Sequence, residues 1–172
     1  MTTASASVPG TAETYRAFMR GFPTGVAIVT TLDESDHPVG FTCSSLCGLS
    51  LAPPMLLICV NNASSTLERI RARGVFAVNL LSDRGRAVAD LFAGHSEDRF
   101  AATTWLPTGR WRLPFLVEAA HAVSECRVVR TDVAGDHTIV VGAVEAVTTH
   151  GPEPTPLLHG LGRYRVWPES LT

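Results

Sequence analysis

The chain has 172 residues, 45% of them apolar and only 17% charged, with a formal net charge of −2. That length suits one domain with a substantial core, and so lean a charged surface often continues into a subunit interface, so a symmetric homodimer is expected. The 14 basic residues are all arginines spread along the chain, which argues against a nucleic-acid partner, and no apolar run approaches the roughly 20 residues of a membrane helix, so no membrane role is expected.

Cys43, Cys47, Cys59 and Cys126 lack CxxC spacing, and the opening MTTASASVPGTAET is small and polar with no basic-then-apolar leader. A cytoplasmic protein with free thiols follows as the expectation. Residues 1–12 read as a disordered tail and 13–172 as a single domain. Thr11 or Thr14 is placed to cap a short helix through TYRAFMRGF, in which Tyr15, Phe18, Met19 and Phe22 share one face.

GVAIVTTL, the polar turn DESDHP and VGFTCS then predict a hairpin. MLLICV at 55–60 predicts a strand buried on both faces. SSTLERIRARG predicts a helix, with Ser65 and Glu68 in capping-box spacing and Gly74 as its stop. VFAVNLL is a fourth strand, 84–93 a further helical patch, and 95–116 a proline-interrupted loop of the kind that often carries function. Two long strands flank the GDH turn at 135–137, and GRYRVW ends the pattern with a short strand. Hairpin-joined strands with three small helices and no βαβ alternation favour an antiparallel barrel.

The chain contains no GxSxG, HExxH, GxxxxGK[ST] or GxGxxG after a strand, so hydrolase, zinc-protease and P-loop chemistries have no basis in the sequence. No metal site is expected, since the histidines are scattered and join Cys43 and Cys47 only by tertiary chance. Four stretches remain. GFTCSSLCGLS at 40–50 packs small hydroxyl and thiol side chains where ordinary core would be bulkier. SSTLE at 64–68 is either a plain helix start or an anion site. FPTGV at 22–26 is a turn, or a backbone edge offered to a planar heterocycle. His137 of GDH is a hairpin tip, or a contact for a nicotinamide.

Together with FAVNLLS, the DRF at 98–100, SECRVV, GDHTIVVGAV and PLLHGLGRY, these stretches resemble, from about Tyr15 to Tyr164, the short-chain flavin reductases, the reductase components of two-component flavin-dependent monooxygenases. The resemblance implies a mainly β fold with small helices, a Greek-key split β-barrel that binds flavin near a homodimer interface. It implies an NAD(P)H-dependent enzyme that passes hydride from NADH or NADPH to FMN or FAD and supplies reduced flavin to a partner monooxygenase. The alternative is a flavin-binding split barrel without turnover. Carried over by motif, Pro23 and Thr24 touch the ring, and Thr42, Cys43, Ser44 and Ser45 line it. Ser64, Ser65 and Thr66 take the phosphate, Asn61 and Asn79 sit in adjoining strands, and His137 lies near the nicotinamide. Gly85 stands where the family often has glutamine, leaving Arg84 or Arg86 to substitute, and HGLGRY lacks a common aromatic.

Overall fold

The computed structural model describes residues 7–94, 99–151 and 155–167; Asp98 of the DRF stretch and residues 1–6 of the expected tail lie outside these. Helix α1 (Ala12–Arg20) takes Thr11 as its N-cap. Thr11 Oγ1 accepts from the Thr14 amide and Thr14 Oγ1 accepts from the Thr11 amide, so the two candidate caps act as one capping box. After β1 (Thr24–Gly25), β2 (Ala27–Leu32) and β3 (Pro38–Cys43) form the expected hairpin, in register from Ala27↔Cys43 to Leu32↔Pro38.

A second hairpin joins β4 (Cys47–Leu51) to β5 (Pro54–Asn61); β4 is too poor in β-branched residues to register in the sequence. α2 (Ser65–Arg73) ends at Gly74, whose φ of 67° supplies the left-handed cap. Its start differs from expectation, because Ser64 is the N-cap and makes no side-chain cap bond, so Ser65 and Glu68 form no capping box. β6 (Val75–Leu81), a 3-10 turn at Asp83–Gly85 and α3 (Arg86–Ala93) follow. The short β7 (Leu106–Pro107) and β8 (Pro114–Phe115) pair with each other. The long β9 (Ala120–Ala134) and β10 (His137–Thr149) flank the GDH turn, and β11 (Leu157–Gly160) and β12 (Arg163–Val166) close the order.

Seven strands make one antiparallel sheet in the order β3-β2-β6-β9-β10-β5-β4, and β1-β11-β12 make a smaller one. Ala27, Val29, Cys43, Ile58, Val60, Phe76, Val78, Cys126 and Val140, drawn from six of the seven strands, share one core cluster with Leu67 and Ile70 of α2. Six strands reach a common interior only if the sheet curls around it, and α2 plugs the opening. The sheet is nevertheless not closed, since its edge strands β3 and β4 are not paired with each other. The fold is a split β-barrel.

A second cluster lies on the outer face of β2, β6 and β9, under α3 and the segment around Leu113–Leu116. The strand buried on both faces is therefore β2, all six residues of which are buried, and not 55–60 as expected. In β5 only Ile58 and Val60 are fully enclosed, because its outward residues face no covering layer. The described part of the loop at 99–116 covers the core. Buried Glu125 accepts from Thr108 Oγ1 at 2.6 Å and from the Trp111 amide at 2.8 Å, tying that loop down.

One close approach sets the barrel radius. A Cβ at Gly142 would stand 2.6 Å from Phe76 Cζ and 3.0 Å from Cys126 Cβ, at a register shift between β9 and β10. Gly142→Ala is therefore expected to destabilise the protein by about 1–3 kcal/mol, read as a lower urea midpoint at unchanged m-value.

Candidate active site

The link between β3 and β4 is only Ser44, Ser45 and Leu46. Cys47 pairs with Leu57 at the last rung of the β4–β5 ladder, and there a side chain replaces the backbone: Ser45 Oγ donates to Cys59 O at 3.0 Å and accepts from Cys59 N–H at 3.1 Å. Its hydroxyl is thereby spent on the β5 edge. Ser44 is exposed and Ser50 lies in β4.

A groove of about 620 Å³ opens over this link. Its floor is Thr24 with Ser44, Ser45, Leu46 and Cys47. One wall is α1, through Tyr15, Arg16, Met19 and Arg20, and the other is the β11–β12 hairpin from His159 to Gly162. Among the described residues no acidic side chain lines it. Pairing of β1 with β11, Thr24↔His159 and Gly25↔Leu158, puts Thr24 and His159 on the groove face of the small sheet and Gly25 on the other. Pro23 lies against Gly160, on the far side of that sheet.

Of the hydroxyl and thiol run, only part faces the groove. Thr42 Oγ1 donates to Ala89 O of α3 at 2.7 Å, and Cys43 is buried in the barrel interior, where desolvation pushes its thiol up, away from thiolate. The Thr42 hydroxyl and the Cys43 thiol are thus engaged within the protein, with Thr42 half-buried at the end of β3. Asn79 is likewise engaged. Fully buried in β6, its Nδ2 donates to Ile28 O, Thr30 Oγ1 and Pro114 O, and its Oδ1 accepts from the Leu116 amide at 2.9 Å.

The remaining sequence-derived residues gather at the α2 end of the barrel. Asn61 pairs with His137 across β5 and β10, and Asn61 Oδ1 accepts from the Ala63 amide at 2.8 Å, turning the chain into α2. Asn62 donates from its amide to Asp136 O, and Thr138 Oγ1 donates to Asn62 Oδ1 at 2.7 Å, stitching the GDH turn to the helix start. With Ser64 making no side-chain cap bond and the Leu67 amide donating to Ser64 O, the Ser65 and Thr66 amides keep donors available for an anion, reinforced by the helix dipole. His137 Nδ1 lies 2.7 Å from Asp136 Oδ1, and this hydrogen bond holds the Asp136 carboxyl below the usual carboxylate range. Cys59, under Ser45, is two residues and about 7 Å of strand from Asn61, so groove and helix start adjoin along β5. Among the described residues no group of three or more His, Cys, Asp or Glu is arranged to hold a metal ion.

Sequence reasoning missed the α1 wall and the β11–β12 hairpin. The available signal was an amphipathic helix whose apolar face finds no core, with Phe18 75% exposed and no residue of α1 buried.

The family model described as flavin reductase like domain matches residues 19–168. A flavin reductase (NADPH) of Lentzea aerocolonigenes is 46% identical over 158 residues, covering 91% of both chains. The chain belongs to the flavin reductase family. A flavin reductase (NADH) of Kitasatospora aureofaciens is 41% identical to this reductase, over 91% of this chain and 82% of that one. The NADH:FAD oxidoreductase of Streptomyces globisporus, solved with NAD and FAD fragments, matches it with a TM-score of 0.89 at 32% identity, covering 98% of this chain and 100% of that one. The reductase is accordingly an oxidoreductase that transfers electrons from a reduced nicotinamide to flavin.

The suture at Ser45 makes a stability prediction separable from ligand binding. Ser45→Ala leaves the Cys59 amide and carbonyl without their partner and is expected to cost about 1 kcal/mol, whereas Ser45→Thr keeps the hydroxyl and most of that stability; chemical denaturation of the two variants compares them.

Proposed function

We propose that the groove over the β3–β4 link holds the isoalloxazine ring of FMN or FAD together with the nicotinamide of NADH or NADPH, and that the start of α2 holds the flavin phosphate. The observation that carries this reading is the convergence of Thr24 from β1 with Ser44 and Ser45 from the β3–β4 link on one groove, lined by no acid among the described residues, that runs toward the Ser65 and Thr66 amides at the head of α2. Its volume lies within the range of small-molecule sites.

When bound, the reduced nicotinamide would supply a hydride from its C4 to N5 of the oxidised flavin. The protein's part is positional. Thr24 and Ser44 present short side chains that leave ring-sized room, and Leu46 and Met19 exclude water. Arg16 and Arg20 supply positive charge to an anionic ligand. Ser64, Ser65 and Thr66 receive the phosphate at the head of α2. Asn61 shapes the turn that aims them, and His137, steadied by Asp136, stands at the rim and orients the nicotinamide. Pro23 fixes the backbone entering β1 from behind the small sheet.

A homodimer accounts for the apolar face of α1 and its exit, where Tyr15 and Phe18 on the helix and Phe22 just beyond it are each more than half exposed. Reduced flavin leaves this protein for a partner flavin-dependent monooxygenase, in the cytoplasm. No described helix is long and apolar enough to cross a membrane.

Two variants test the site. Ser44→Phe fills the groove from an exposed position, so the flavin dissociation constant is expected to rise at least about tenfold with the melting temperature unchanged; unaltered affinity removes the ring from this groove. His137→Ala is expected to raise KM for the reduced nicotinamide about tenfold while the flavin dissociation constant, read by fluorescence titration, stays the same. An unchanged KM excludes His137 from the site.

A further inference from the structure

The small sheet has two faces, and only one belongs to the groove. β11 and β12 pair Leu158↔Arg165, His159↔Tyr164 and Gly160↔Arg163, so alternation turns His159 and Tyr164 to one side and Arg163 and Arg165 to the other. On that second side a pocket of about 520 Å³ lies between the hairpin and the end of α1, lined by Arg20, Arg163 and Arg165 with Pro23, Leu158 and Gly160 among its other walls. No acidic residue lines it, and none of the three guanidiniums makes an ion pair among the described residues. Three of the 14 arginines of a chain with net charge −2 therefore surround one cavity. Their shared positive charge makes the pocket favourable for an anion.

The pocket communicates with the groove. Arg20, Gly160 and Leu161 line both. At the shared rim the chain turns through Leu161 and Gly162 with φ of 52° and 71°, a conformation leucine rarely adopts. The Leu161 amide, donating to Arg20 O at 2.7 Å, holds it there. The result is an apolar side chain, 68% exposed, on the ridge between two cavities. A Cβ at Gly160 would stand 3.2 Å from Pro23 Cβ, so glycine keeps the sheet close to Pro23.

A ligand with a planar ring in the groove and phosphates farther along its length fits this layout. We propose that the Arg20–Arg163–Arg165 pocket takes the phosphates of the adenylate half of the reducing nucleotide, and that it selects the 2′-phosphorylated form, NADPH over NADH. The proposal rests on the assignment of the rings to the groove. A pyrophosphate carries about two negative charges, and a phosphomonoester adds about −1.5 to −2 at neutral pH. Three guanidiniums exceed the need of the first and suit both together, and the arginine fork matches a phosphate bidentately. The adenylate of FAD has related chemistry, and the experiment separates the two.

The test is the Arg163→Ala/Arg165→Ala double variant, both residues being exposed on a four-residue strand, with thermal melting as the folding control. In the wild type, calorimetry is expected to find adenosine 2′,5′-bisphosphate bound at least about tenfold more tightly than 5′-AMP, and the double variant is expected to lose that difference. In steady state with FMN, KM for NADPH is expected to rise at least about tenfold in the variant, and the rise in KM for NADH to be several-fold smaller. Equal binding of the two adenylates by the wild type, or identical effects on both nicotinamides, overturns the proposal. So does a variant that weakens FAD but neither NADPH nor FMN, which gives the pocket to the flavin's own adenylate. Discrimination between the adenylates in a protein that turns over no flavin leaves the pocket's selectivity standing and overturns the reading of the groove instead.

Discussion

Three residues between two edge strands constrain everything else in this protein. β3 and β4 lie at opposite ends of a seven-stranded sheet, yet Ser44, Ser45 and Leu46 are all that separate them in the chain. Four Cα–Cα steps span at most about 14 Å, so the sheet has to curl until its ends meet. That curl creates the interior that Ile58, Val60, Phe76 and Val140 fill, and it leaves a seam where backbone pairing gives way to one serine hydroxyl. The groove lies over the seam because polar backbone there is not consumed by a neighbouring strand.

The small side chains of 42–47 thus serve two ends. Thr42 and Cys43 are small because α3 and the barrel interior press on the end of β3, where Thr42 reaches the α3 backbone and Cys43 joins the core. Ser44 and Ser45 are small because a cavity begins there. A single run of composition records packing on one side and vacancy on the other, and the change occurs where the strand ends.

Much of the fold was legible because it is local. The hairpins around DESDHP and GDH, the helix stopped by Gly74 and the periodicity of β9 and β10 all follow from neighbours in sequence. What was not legible is tertiary. Whether β2 or β5 is buried on both faces depends on which has α3 and the 113–116 segment over it. Asn79 reads as a polar residue free for a ligand, yet its amide carries four hydrogen bonds that join β2, β6 and the covering segment. The α1 wall escaped notice because its apolar face resembles an ordinary core face. The family resemblance pointed to Ser44 and Thr24, which the structure brings to one groove, but residue carry-over has no means of telling a side chain that faces a cavity from one already bonded to a neighbouring element, as Thr42 is to α3.

The serine suture also has a bearing on release. The inner stretch of β5 is fastened along its β10 edge by a continuous ladder from Met55 to Asn61, whereas beyond Leu57 its other edge is fastened at Cys59 by two hydrogen bonds to one side chain. Two such bonds break at small cost compared with a ladder. The barrel therefore has a place to part by local fraying while its core stays intact, and that place is the floor of the groove. With the flavin ring placed as proposed, that weak point lies beside the product that must depart after each turnover.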